Sequence, residues 1–147
     1  VTAAFASTRA PTYRRMHVAE LVGIPYLELG RTLQGADCWG ICLIAGRHLF
    51  GLEFPEFFYS AADMLDEACE HIRRETSGPR WTALPEGGPY PRAAIHIFRV
   101  KGYETHCGIH LGGGEFLHSL AGRNSCVESL FGADWRQRKT GSFAWTP

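Results

Sequence analysis

The hydrophobic period of the chain changes once, at Gly78-Pro79, from helical to alternating, and that change fixes the fold class. Before it, apolar residues recur at helical spacing. Tyr13 to Val22 carries Met16, Val18, Ala19, Leu21 and Val22 and stops at Gly23, which predicts a short helix. Ile24 to Ala36 holds Pro25, Gly30 and Gly35 and reads as a loop. Asp37 to Phe50 is apolar on most of its surface (Ile41, Cys42, Leu43, Ile44, Ala45, Leu49), so it predicts a buried central helix closed by Gly51. A third helix is expected from Ser60, capped by Ser60 with Asp63, to Thr76. After Gly78-Pro79 the strand candidates are 80–84, 94–100, 105–111, 115–120, 125–129 and 142–145. Helices followed by antiparallel strands joined by short turns make an α+β domain. The expected organisation is an arm over residues 1–12 and a single domain over 13–147.

Composition narrows the partners. Lys plus Arg and Asp plus Glu both count 15, so no basic excess exists to neutralise a run of phosphates and no nucleic acid is expected as partner. A membrane span needs about 20 consecutive apolar residues. The apolar runs here are far shorter, and no span is expected. The first residues lack the basic and long apolar regions of a secretory signal, from which synthesis in a bacterial cytoplasm without export is expected. The five cysteines, at 38, 42, 69, 107 and 126, form an odd set without CxxC spacing. They indicate neither a disulfide framework nor a zinc ribbon.

Cys38, in Gly35-Ala-Asp-Cys-Trp-Gly40, opens the buried helix. A helix N-terminus favours a thiolate, and its N–H groups can also hold an oxyanion beside the sulfur. A reactive thiol needs a base. His106 and His118 flank Gly112-Gly-Gly114, a turn joining two short strands. If Leu111 pairs with Glu115, His118 falls opposite Gly108. His106 then shares that face, diagonal to His118, with Cβ atoms about 7–8 Å apart. Two imidazoles reach each other across that gap, as a base and the group that orients it. Gly108, without a side chain, offers a place where the helix end could approach the sheet. His106 and His110 have metal-pair spacing only on a helix. On a strand they lie roughly 13 Å apart, so no metal is expected there. Cys42 reads as core, and Cys69, Cys107 and Cys126 as ordinary buried cysteines.

A cysteine at the start of a buried helix, followed by a sheet bearing two histidines on one face, is the arrangement of papain-like thiol peptidases. Within that group the chain resembles the NlpC-type cell-wall peptidases. The resemblance rests on Gly23-Ile-Pro-Tyr26, Leu29-Gly30 to Gly35, Asp37-Cys-Trp-Gly40, His106-Cys-Gly-Ile-His-Leu-Gly112 and Phe116-Leu-His-Ser119. It implies a papain-like NlpC-type fold, with Cys38 as nucleophile, His106 as general base and His118 holding the imidazole in its productive tautomer. It further implies Tyr26 near the nucleophile and Asp37 near the subsite for the amino end of a peptidoglycan stem peptide. The reaction implied is hydrolysis of an amide through a thioester, commonly at the bond between D-γ-glutamate and a diamino acid. No metal or organic cofactor is required.

Two departures from the family pattern bear on specificity and setting. Trp39 stands where a small hydroxyl residue is usual and is expected to narrow the substrate groove. Pro91-Arg-Ala-Ala94 replaces the usual Pro-Gly-Asp turn. The Asp-Cys-Trp-Gly form and the short chain resemble members encoded with phage or phage-like tail genes. That resemblance implies a place in a virion tail tip, other tail-tip or baseplate proteins as partners, and action at the host wall. A second reading is a structural tail-tip subunit whose activity is masked or lost. Trp39, the arm and Trp135-Arg-Gln-Arg-Lys139 suit docking under that reading.

Overall fold

Helix α1, Cys38–Phe50, is the pivot of the architecture seen in the computed structural model, which describes residues 13–57 and 65–147. The expected arm and the expected Ser60–Asp63 cap lie outside the described residues. Asp37 caps α1 through its carboxylate, which accepts the Gly40 N–H, and Gly51 ends it in the left-handed region at φ 64°. Ile41, Cys42, Leu43, Ile44 and Ala45 are all buried, as an apolar surface on nearly every side requires.

Among the described residues, eight strands follow the order β1 Arg31–Thr32, β2 Gly35–Ala36, β3 Trp81–Ala83, β4 Ile95–Val100, β5 Tyr103–Gly112, β6 Glu115–His118, β7 Cys126–Ser129 and β8 Lys139–Trp145. The last six form one antiparallel sheet in the order β3-β8-β4-β5-β6-β7. Each corresponds to an expected strand. Helix α1 and helix α2, Leu65–Thr76, pack on β5, and Ile95, Ile97, Cys107, Ile109 and Leu117 meet α1 in the main core. Alternation sends His96, Phe98, His106, Phe116 and His118 to the other face, where Phe98 and Phe116 pack with Leu130 and Trp135. The two faces therefore divide the labour: one holds the helices, the other the histidines.

Three expectations are corrected. Residues 13–22 do not form a full helix; only Val18–Leu21 turns, as a 3-10 helix. Long-range bonds hold the segment instead: Met16 N–H to His48 O, Gly23 N–H to Ser125 O, and Ile24 N–H to the Ser125 hydroxyl. The loop at 24–36 contains the β1–β2 hairpin. Gly108 does not admit the helix end. A Cβ there would fall 2.7 Å from Phe116 Cδ2, so the ring of a neighbouring strand occupies the space. No helix among the described residues is long and apolar enough to cross a membrane.

Candidate active site

The hairpin sets the histidines. Ile109 pairs with Leu117 and His110 with Phe116, which continues to Gly108 opposite His118, the register expected from the turn. The chain reverses through Gly112, Gly113 and Gly114, all at positive φ, and one residue of slack is taken up beside the turn, where Gly112 rather than Leu111 pairs with Glu115. One residue of β5, Thr105, is left over between Glu104 and His106 where the ladder with β4 shifts. Such bulges bend a strand and re-aim its neighbours. Strand β6 ends at His118, opposite Gly108, so His106 lies two positions beyond that last pair, on the same face and diagonal to His118.

Cys38 meets β5 at this point. Its sulfur lies 3.9 Å from the Thr105 carbonyl oxygen and within hydrogen-bonding contact of the His106 and Cys107 side chains. The structure therefore brings Cys38, His106 and His118 into one contacting chain. His106 Nε2 and His118 Nδ1 are 2.8 Å apart, and His118 Nε2 is 2.5 Å from Glu128 Oε2. The fourth member, Glu128, is absent from the sequence-based set. It reaches the site because β7 pairs with β6 in the register His118↔Cys126 and Phe116↔Glu128, which puts Glu128 on the histidine face and diagonal to His118. Trp135 Nε1–H also donates to Glu128 Oε2, at 2.7 Å.

The order of these groups assigns the ring protons. A carboxylate only accepts, so His118 carries its hydrogen on Nε2 and donates it to Glu128. Its bare Nδ1 then accepts from His106 Nε2–H. Neutral His106 is left with Nδ1 as the acceptor for the Cys38 thiol. Both rings are held neutral. Burial lowers His106 from its usual range, against the Cys38 contact, and burial with the Arg123 charge pushes His118 down to about 4. The Cys38 thiol is pushed well up by its bond with Cys107 and by burial, against the pull of His106. The resting pair is thus thiol and imidazole, whereas the helix terminus alone pointed to a thiolate.

Asp37 and Trp39 do other work than expected. Asp37 does not present a free carboxylate to a ligand: Oδ1 accepts from Gly40 N–H at 2.8 Å and Arg31 Nη1 at 2.7 Å, and Oδ2 accepts from Leu29 N–H at 2.9 Å. It caps α1 and ties the 24–36 segment to it through Arg31, which also bonds Glu56 and the Phe57 carbonyl. Trp39 is 3% exposed and stacks on Phe57 with centroids 4.8 Å apart, its Nε1–H donating to Pro55 O. It packs into the core, where with Phe57, Trp81 and Cys107 it lines a small apolar pocket. The glycine after it is needed for approach, since a Cβ on Gly40 would stand 2.1 Å from the Gly30 carbonyl oxygen. Tyr26 is half-buried. Burial, then charge at Cys38 and Asp37, raises its phenol, and its backbone bridges to Ala36, two residues before Cys38.

Trp135, expected at a docking surface, is 3% exposed and packs its ring at 5.4 Å from His106 and 4.8 Å from His118. It walls the relay off from water. Cys107 touches Cys38, and Cys126, only half-buried, lies 3.5 Å from His118 Nε2, so neither is an ordinary core cysteine. His110 turns away from His106 to a second pair, its Nδ1 3.0 Å from His96 Nε2, while His96 Nδ1 meets the Ser142 hydroxyl at 2.7 Å.

Comparison with known proteins is consistent with this geometry. No family model matches the chain. A curated protein of Escherichia coli K12, murein DD-endopeptidase MepS/murein LD-carboxypeptidase, is 24% identical over 120 residues, 82% of this chain and 55% of that protein. The chain therefore spans about half the length of the curated relatives it matches. Among solved structures, an NlpC/P60 family protein of Bacillus cereus ATCC 10987 aligns over 86% of this chain and 37% of its own at TM-score 0.61 and 20% identity. The NlpC/p60 domain of the peptidoglycan hydrolase SagA aligns over 86% of this chain and 94% of its own at TM-score 0.58 and 21% identity. The chain has the NlpC/P60 fold.

Proposed function

We propose that this protein is a cysteine peptidase that hydrolyses an amide bond in the peptide of peptidoglycan. The observation that carries the reading is the unbroken chain Cys38–His106–His118–Glu128 at the N-terminus of a buried helix on an NlpC/P60 fold. The cell-wall activities named for the Escherichia coli relative and for SagA support the substrate class.

In this mechanism the Cys38 sulfur attacks the amide carbonyl carbon as its proton passes to His106 Nδ1. The resulting imidazolium returns that proton to the leaving amine, the C–N bond breaks, and a thioester remains. Water, deprotonated by the same nitrogen, hydrolyses the thioester and restores the thiol. His118 keeps the Nε2–H of His106 engaged throughout, and Glu128 keeps His118 in the tautomer that does so. The N–H groups of Gly40 and Ile41 are already bonded to Asp37, which limits what the helix terminus can offer an oxyanion. Tyr26, half-buried and bridged through its backbone to Ala36, is the substrate-binding residue in this reading. Asp37 and Trp39 act by holding α1 in place.

The candidate bonds are the D-γ-glutamyl–diamino acid link expected from the family resemblance and those of the DD-endopeptidase and LD-carboxypeptidase activities named for the Escherichia coli relative. Mass spectrometry of muropeptides after digestion of purified walls tests each. New amino and carboxyl ends at one of these bonds support the proposal, and walls left intact by pure, folded protein would overturn it. We further propose that the protein is carried in a phage-like tail tip and acts at the host wall, supported by the Asp37-Cys38-Trp39-Gly40 form. Its presence among the components of purified particles tests that placement, and its absence would remove it.

A further inference from the structure

We propose that His118, Cys126 and Glu128 form a regulatory site for a borderline-soft divalent cation such as zinc, and that filling it switches off the base at His106. His118 Nε2, Cys126 Sγ and Glu128 Oε2 all lie within 4.8 Å of one another. Imidazole, thiolate and carboxylate are the three donor types zinc takes, and a fourth position is left for water. For tetrahedral zinc the distances between such donor atoms are roughly 3.4–3.6 Å. Here nitrogen and sulfur are 3.5 Å apart and sulfur and oxygen 4.0 Å, while nitrogen and oxygen are 2.5 Å apart because they share a proton. Removing that proton lets the short edge open by about 1 Å, within reach of a glutamate χ rotation. Cys126 is half-buried and the Glu128 side chain is 23% exposed, so an ion has an entry path. Trp135 Nε1–H stays as the outer partner of the carboxylate. Arg123, 4.0 Å from Glu128 Oε1, opposes the ion.

The consequence for the relay follows from proton positions. A metal on His118 Nε2 displaces the hydrogen there, and a metal-bound imidazole carries its hydrogen on the other nitrogen and donates it. His118 Nδ1–H then points at His106 Nε2, which must accept. The hydrogen of His106 moves to Nδ1, the nitrogen that faces Cys38. The hydrogen lost from His118 Nε2 is thus matched by the one gained at His106 Nδ1, and the net release is one proton per metal, from the Cys126 thiol. With Nδ1 occupied, His106 cannot take the proton of the thiol. This regulation rests on the peptidase reading, whereas the binding site does not.

Two variants separate the outcomes. Titration with cobalt(II) of Cys38→Ser, which keeps Cys126, is expected to give a thiolate-to-cobalt charge-transfer band, and Cys126→Ser is expected to lose it with at least a tenfold weaker zinc affinity. Zinc is expected to lower wall hydrolysis by the native chain at least tenfold, reversibly on chelation, and to leave Cys126→Ser unaffected. Nitrogen NMR of the His106 ring reports the tautomer whether or not hydrolysis is detected, and Nδ1–H is expected once zinc is bound. Absence of the band, or a band kept by Cys126→Ser and lost by Cys38→Ser, overturns the site. Zinc bound with His106 still carrying Nε2–H overturns the switch. A chain that binds zinc at Cys126 and never cleaves wall leaves the site standing and removes the peptidase reading instead.

Discussion

His118 Nε2 lies 2.5 Å from Glu128 Oε2, a bond between neighbouring strands that fixes which nitrogen of each histidine carries its proton. The reactivity assigned to Cys38 depends on that distant carboxylate through two rings. The predictions below start from it.

Glu128 acts as a positioning residue, so its loss should lower kcat and leave KM nearly unchanged. Glu128→Ala removes the acceptor, and the expected fall is roughly 10–100-fold, part of the 10²–10⁴ that a general base supplies. Glu128→Gln still offers a carbonyl oxygen to His118 Nε2–H and should recover most of the rate. Steady-state kinetics on a soluble muropeptide checks both. Equal losses in the two variants would mean that charge, not the tautomer, is what Glu128 contributes.

The pH–rate profile should have its acid limb below pH 6.5. Activity needs neutral His106, and burial lowers that imidazole from its ordinary 6.5, so protonation that stops the reaction begins only below that value. A limb above 6.5 would instead indicate a thiolate–imidazolium pair already formed at rest.

Stability should fall on acidification before the carboxylates titrate. His96 is held down to about 3 by burial and by the His110 and Lys139 charges, His118 to about 4, and His106 and His110 are also lowered by burial. Below pH 6.5 the unfolded chain therefore binds protons that the native chain does not, and stability rises with pH across this window. Each such histidine contributes at most ~1.4 kcal/mol per pH unit. Urea unfolding between pH 7 and 5 measures the slope. A flat profile would mean that these histidines are not buried and neutral.

Gly40→Ala should destabilise the fold despite the better helix former. The added methyl would meet the Gly30 carbonyl oxygen at 2.1 Å, backbone against backbone, and overpacking of this kind costs about 1–3 kcal/mol. The helix-propensity gain of about 1 kcal/mol does not offset the upper part of that range. Thermal unfolding checks the sign, and an unchanged or raised Tm would show that the 24–36 segment yields easily.

What the sequence made legible was local. Alternation and the three-glycine turn were enough to place His106 and His118 on one face, because period and turn length set that register. The start of α1 at Cys38 followed from the glycine-bearing loop before it and its apolar run. Glu128 was hidden because a glutamate on a short strand looks like surface until the β6–β7 pairing is known. Asp37 looked available for substrate because its ties to Arg31 and Leu29 come from a loop whose path no periodicity describes. From sequence Trp39 reads as a groove or docking residue and Trp135 as a docking residue, since sequence does not reveal whether an aromatic ring meets solvent or other rings. The segment at 13–22 had helical spacing, yet its apolar residues answer to contacts with His48 and Ser125 far along the chain.

The most direct test of the central claim is the rate of cell-wall hydrolysis by Cys38→Ser, compared with the native chain under conditions where both unfold at the same Tm. The account predicts cleavage by the native protein and a loss of at least a thousandfold in the variant, with folding unchanged. Retained hydrolysis in the folded variant would show that the sulfur beside His106 is not the nucleophile.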